Sequence, residues 1–172
     1  VALALPEPFI KLPQEALPFR LDYSSRNDAE FLRRIKAPNL APGGDAFAVS
    51  LGTRASGVVL RRKASGGYQV DRGAIGIGEP LPAIDRAGIS VTGKFAYLDV
   101  NRWRRLLDTA GNGDFGGANL NLSTAIMDVS GRRLNEVRLR AAPVSTAWAA
   151  TIASRELSGT LTWRPEGAGK VV

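Results

Sequence analysis

The sequence predicts a mainly β protein built on an antiparallel sheet that is apolar on one side. Three observations point to it. Apolar and polar residues alternate with period two in segment after segment, which places side chains on opposite faces of an extended strand. The 19 glycines and 10 prolines are scattered between those segments as turn formers. Hydrophobic residues make up 44% of the 172 residues, enough to fold around a core.

The elements follow in order. Residues 1–16 read as a proline-rich connector, because the run Leu5-Pro6-Glu7-Pro8-Phe9-Ile10-Lys11-Leu12-Pro13 fits neither a helix nor a central strand. Leu17, Phe19, Leu21 and Tyr23 then share one face of a strand, with Arg20 and Asp22 on the other. A short helix is expected from Asn27 as its cap, with Glu30 closing a capping box, Phe31, Leu32 and Ile35 as its stripe, and Pro38 as its stop. Phe47, Val49 and Leu51 mark the next strand. Further strands are expected at 57–62, 67–71 and 74–78, the first two joined by a tight hairpin at Ser65-Gly66-Gly67. Ile89, Val91, Gly93 and Phe95 alternate in another. A helix over 99–110 is capped by Asp99, with Val100, Trp103, Leu106 and Leu107 on one stripe, and ends at Ala110-Gly111. Leu120, Leu122, Thr124 and Ile126 form the next alternating set. Ser130-Gly131 turns the chain into a strand carrying Val137, Leu139 and Ala141. Strands at 147–153 and 157–163 complete the pattern, and Gly159, inside the last, reads as a bulge or a close packing contact.

Composition excludes several chemistries. The chain has neither histidine nor cysteine. Disulfides, thiol nucleophiles, zinc sites with imidazole or thiolate ligands and Ser-His-Asp arrangements are therefore ruled out, and no metal site or cofactor is expected. Twenty-three Lys and Arg against 16 Asp and Glu give a net charge of +7. The basic residues are spread along the chain in short clusters such as Arg61-Arg62-Lys63 and Arg102-x-Arg104-Arg105, as solvated strand ends and loops are. A nucleic-acid binder is a rival suggested by charge alone. No stretch reaches the roughly 20 apolar residues of a transmembrane helix. The chain opens on Val1-Ala2-Leu3-Ala4-Leu5 and stops at Val171-Val172, like strands cut open, so 1–172 reads as a single β-rich segment of a larger protein.

The remaining motifs carry little chemistry. Gly111-Asn112-Gly113-Asp114-Phe115-Gly116 has the spacing of a dinucleotide loop but follows a helix and precedes a strand, the reverse of the phosphate-binding context. It reads as a flexible loop. Asp99 and Asp108 are separated by about 13 Å along the helix axis, beyond the roughly 5–9.5 Å that glycosidase carboxylates use. The sequon Asn121-Leu122-Ser123 falls within a strand. Trp103, Trp148 and Trp163 sit among apolar neighbours and read as core anchors, not base-stacking platforms.

The order of the pieces resembles a known family. Leu5-Pro6-Glu7-Pro8, Lys11 and Leu17-Pro18-Phe19-Arg20-Leu21 are followed by Arg72-Gly73-Ala74-Ile75, Gly78 and Leu81-Pro82. Then come Gly88-Ile89, Gly93, Tyr97-Leu98-Asp99-Val100 and Trp103. Gly131 through Leu139, Trp148, Ser154 through Gly159 and Thr162-Trp163 complete the series. This series resembles YhdP-type proteins of the AsmA superfamily over nearly the whole chain. It departs from them at Leu12, which displaces a proline after Lys11, and over Asp28–Gly44, which has no counterpart.

The resemblance implies an interior periplasmic segment of a large envelope protein from a bacterium with two membranes. The full-length protein is anchored in the inner membrane by an N-terminal helix. Its strands form a long curved antiparallel sheet, an open or taco-like groove that carries phospholipid toward the outer membrane, and it is not an enzyme. The alternating strands suit that expectation: an apolar sheet face left uncovered must curl or take a ligand, and each CH₂ of an acyl chain buried there contributes about 0.8 kcal/mol. Ten or so strands would span roughly 45–50 Å. The residues expected to face the groove are Phe47, Val49, Leu51, Val58, Leu60, Ile75, Ile77, Ile89, Val91, Phe95, Leu120, Leu122 and Ile126, with Trp103 and Leu107 packing the helix over part of it. The expected partners are phospholipid acyl chains, with membrane association through the full-length protein, no nucleic acid, and possible self-association through open sheet edges. The alternative is a β-sandwich scaffold or protein-interaction module of the envelope, since a closed sandwich shows the same alternation. A carboxylate-based glycosidase is a further rival.

Overall fold

The computed structural model describes Phe9, residues 14–109 and residues 118–164. The rest of the proline-rich stretch 5–13 and the glycine loop 111–116 lie outside the described residues, so those two expectations have no structural counterpart here.

The chain is mainly β, with two short helices, as the alternation predicts. The elements are β1 (Phe19–Ser24), α1 (Ala29–Arg34), β2 (Asp45–Leu51), β3 (Ala55–Ala64), β4 (Gly67–Ile77), β5 (Gly88–Asp99), α2 (Val100–Thr109), β6 (Ala118–Val129), β7 (Arg132–Val144), β8 (Ala147–Ala153) and β9 (Ser158–Trp163). The nine strands are hydrogen-bonded in chain order. The pairs β1–β2, β2–β3, β3–β4, β6–β7, β7–β8 and β8–β9 are antiparallel.

The chain divides into two compact units, a first of Ala16–Thr92 and a second of Gly93–Val172 together with Val1–Glu15. Each has the same internal order, a strand, a helix, then consecutive strands. In the first unit, α1 lays Phe31, Leu32 and Ile35 on Ala46, Ala48, Val58, Leu60 and Ala74 of β2–β4, and Leu40 and Ile84 complete this core. In the second, Leu98, Met127, Leu134 and Val137 form a smaller cluster against which Val100 and Trp103 of α2 pack. The Trp103 ring also meets that of Phe9 in a T-shaped pair, 5.7 Å between centroids. The side chain of Leu107 is outside the described residues.

Turn chemistry sets the hairpins. The tight hairpin expected at Ser65-Gly66-Gly67 is present: Ala64 pairs with Gly67, so Ser65-Gly66 forms a two-residue turn and Gly67 opens β4. Val129 pairs with Arg132, and Ser130 (φ 49°) and Gly131 (φ 75°) are both left-handed, the geometry whose twist matches paired strands.

Four expectations are corrected. Residues 67–71 and 74–78 belong to one strand, β4. The ladder shifts between Leu60 and Arg61, leaving Asp71 as an extra residue, and this bulge breaks the alternation without ending the strand. The cap of α1 is Asp28, whose carboxylate accepts from the amides of Glu30 and Phe31 at 3.0 Å each. Asn27 instead accepts from the amide of Leu40 and ties down the chain returning after the helix. Gly159 is neither a bulge nor a tight contact: β8 and β9 pair without interruption and a Cβ on it would meet nothing within 4 Å. Finally, the alternation of β6 does not run through to Ile126. Glu136 is left-handed (φ 54°) and it and Ala125 drop out of the β6–β7 ladder. Beyond that point Met127, paired with Leu134, joins Val137 in the cluster, while Ile126 sits opposite Asn135. The helix α2, by contrast, is capped as expected, the amide of Arg102 donating to Asp99 at 2.9 Å.

Candidate functional site

Register sorts β1–β4 into two faces. On one, Ala46, Ala48, Val58, Leu60 and Ala74 are sealed under α1. On the other, three cross-strand rows stack: Phe19–Leu51–Ala55–Ile77, Leu21–Val49–Gly57–Ile75 and Tyr23–Phe47–Val59–Gly73. Beyond the bulge the same face continues with Val70 opposite Arg61 and Tyr68 opposite Lys63. This second face is apolar and open. Phe19 (66% exposed), Leu21 (59%), Tyr23, Val49, Tyr68 and Val70 all lie on it, six of the eight large exposed apolar side chains among the described residues.

One end of this face is polar. Asp45, 1% exposed, receives two hydrogen bonds from Arg61, Nε to Oδ1 at 2.8 Å and Nη2 to Oδ2 at 2.6 Å, and a longer one from the Tyr23 hydroxyl. The Arg61 guanidinium lies 4.6 Å from the ring centroids of both Phe47 and Tyr68. Arg61's hydrogen bonds, helped by its charge and by Tyr23, hold the Asp45 carboxyl below the usual carboxylate range against the opposing effect of burial. The same trio recurs in the second unit. Asp128 receives the two Arg133 bonds at 2.8 Å each and the Tyr97 hydroxyl at 2.8 Å. Its carboxyl is pulled down to about 2, chiefly by Arg133 and then by Tyr97.

The groove candidates divide accordingly. Phe47, Val49, Leu51, Ile75 and Ile77 come together on the open face of β1–β4. Val58 and Leu60, 1% and 2% exposed, are on the opposite face in the α1 core. The three consecutive apolar residues Val58-Val59-Leu60 make β3 apolar on both sides, so periodicity within β3 alone does not say which side α1 takes. Ile89 and Val91 are half-buried in the first half of β5. Phe19, Leu21, Tyr23, Val59, Tyr68 and Val70 belong to the open face and were absent from the expected set. The alternation of β1 carried the signal for the first three, and the bulge at Asp71 hid the last two.

In the second unit, Phe95 is buried with its ring over Gly93, where a Cβ would lie 2.7 Å from it and 3.0 Å from Leu122. Leu122 pairs with Leu139 and Leu139 with Ile152. Leu120 heads the row Leu120–Ala141–Ala150–Leu161. The alternate rows, Asn121–Arg140–Thr151–Thr160 and Ser123–Arg138–Ala153–Ser158, are polar apart from Ala153. Ile126 is half-buried outside the apolar cluster. Trp148 pairs with Trp163 in register.

Among the described residues no three His, Cys, Asp or Glu side chains are grouped as a metal site, and no helix is long and apolar enough to cross a membrane. No curated protein and no solved structure matches the chain. The family described as "YhdP protein" matches it over residues 1–171. This mainly β chain with an uncovered apolar face, matched over nearly its whole length, belongs to the YhdP family.

Proposed function

We propose that this chain is a non-catalytic periplasmic segment of an inner-membrane-anchored envelope protein, and that its apolar β surface carries phospholipid between the inner and outer membranes. The observation that carries this reading is the open face of β1–β4. Soluble domains rarely leave a contiguous apolar patch of more than a few hundred Å² in water. Here Phe19, Leu21, Tyr23, Val49, Tyr68 and Val70 stand exposed together on one face, while on the other face Ala46, Ala48, Val58, Leu60 and Ala74 of β2–β4 are sealed under α1. Hydrocarbon laid over these side chains gains about 0.8 kcal/mol per CH₂ removed from water and needs no directional partner. Family membership supports the envelope setting. The absence of histidine and cysteine suits a surface that holds a ligand without transforming it.

The test is site-specific photocrosslinking in the full-length protein in cells. A photoreactive residue at Leu21 or Val49 is expected to label phospholipid, and one at Arg20 or Asp22, on the opposite side of β1, is not. Labelling of protein but no lipid from positions 21 and 49 would favour the scaffold or interaction-module reading instead.

A further inference from the structure

The open face of β1–β4 is not uniform along its strands, and its polar end has the composition of a site for a phosphate group. Running along β3 from Gly57, the face passes Val59 and reaches Arg61 and then Lys63, about 20 Å further on. Arg61 is locked: Asp45 takes its Nε and one side of Nη2, and two rings clamp the guanidinium plane. Its side chain nevertheless remains 32% exposed, and a guanidinium has five N–H donors, of which Asp45 uses two. Lys63 lies two residues on, exposed and with no carboxylate partner among the described residues. Gly43 leaves open the space beside the lysine stem, where a Cβ would stand 3.6 Å from both Cβ and Cδ of Lys63. Tyr68, opposite Lys63 and half-exposed, adds a hydroxyl at the same end. Tyr23 and Tyr68 thus mark the boundary between hydrocarbon-like surface and charge, where amphipathic aromatic side chains favour an interface.

We infer that Arg61, Lys63 and Tyr68 form a head-group station: they bind the phosphate of a phospholipid whose acyl chains lie on the apolar rows from Tyr23–Phe47 toward Phe19–Ile77. The inference rests on the lipid reading above and adds an orientation and a head-group class to it. Arg61 supplies preorganised donors at fixed geometry, Lys63 a mobile charge that follows the phosphate, and Asp45 holds Arg61 in place without facing the ligand.

The test uses the full-length protein and two tail-labelled photoactivatable probes with identical acyl chains, a phosphatidylglycerol and a diacylglycerol. Lys63→Glu is expected to lower phosphatidylglycerol labelling about tenfold and to leave diacylglycerol labelling unchanged, with Lys63→Arg restoring it. Arg61 itself is spared, because its loss would strand Asp45. If the unmodified protein takes both probes and Lys63→Glu changes both equally or neither, the head-group station is overturned and the lipid reading stands. If the unmodified protein takes neither probe, the lipid reading itself falls. If millimolar inorganic phosphate competes away the preference for phosphatidylglycerol, the site binds free phosphate and the lipid-head assignment is overturned.

Discussion

At the scale of single residues, the two Tyr–Asp–Arg trios are the points where burial and charge meet. Asp45 is sealed, so Asp45→Asn removes the charge that neutralises Arg61 and leaves guanidinium donors poorly met. The melting temperature should fall by about 5 °C. Asp22→Asn, at an exposed pair with Arg20, should leave it within about 1 °C; thermal denaturation of the two variants side by side checks the contrast. Asp128 adds a pH dependence. Its carboxyl is held near 2 in the folded chain and titrates near 3.9 when unfolded. The folded state therefore binds this proton more weakly. The stabilisation is complete above about pH 4 and is lost as pH falls from about 4 to about 2. Acid unfolding followed by circular dichroism should show that limb, and Asp128→Asn should flatten it. Neither trio was legible in the sequence, because each joins three strands and exists only once register is known.

At the scale of elements, the sequence was most readable where one local rule acted alone. Asp99 capping α2, the turns at Ser65-Gly66 and Ser130-Gly131, and the alternation over Leu120–Thr124 and Val137–Ala141 follow from spacing. It was least readable where two rules competed. Asn27 and Asp28 are both good caps, and the tertiary bond from Leu40 to Asn27 decided which one serves α1. The bulge at Asp71 and the left-handed Glu136 interrupt alternation without a glycine or proline to announce them. Glu136 accordingly holds strain that a glycine would not, and Glu136→Gly should raise stability by about 0.5–1 kcal/mol in a denaturant titration. Gly73 is the opposite case. A Cβ there would fall 2.7 Å from the carbonyl oxygen of Val58 across the β3–β4 ladder, whereas one on Gly66 meets nothing within 4 Å. Gly73→Ala should therefore destabilise clearly and Gly66→Ala hardly at all, as the same titration will show.

At the scale of the whole molecule, the question is which apolar surfaces hold the fold and which serve a ligand. Alternation shows that a strand has an apolar side, but it does not distinguish a side sealed by α1 from one left open; Val58 and Val49 carry the same signal in the sequence. The structure separates them, Val58 at 1% exposure inside the α1 core and Val49 at 41% on the open face. Substitution by aspartate turns that difference into a measurement. At Val58 the new carboxylate would be buried without a partner, so the variant should fail to fold. At Leu21 or Val49 it would stand in water, and the melting temperature should stay within about 2 °C of the parent, as for most surface changes. The ligand would respond in the reverse order. A charge in the middle of the row Leu21–Val49–Gly57–Ile75 breaks the hydrocarbon contact, so phospholipid co-purifying with the full-length protein, quantified by mass spectrometry, should drop sharply in Leu21→Asp and Val49→Asp while both remain folded. If both variants unfold as Val58→Asp does, the face is a packed core in the intact protein. If both fold and keep their lipid, hydrocarbon is carried on other strands.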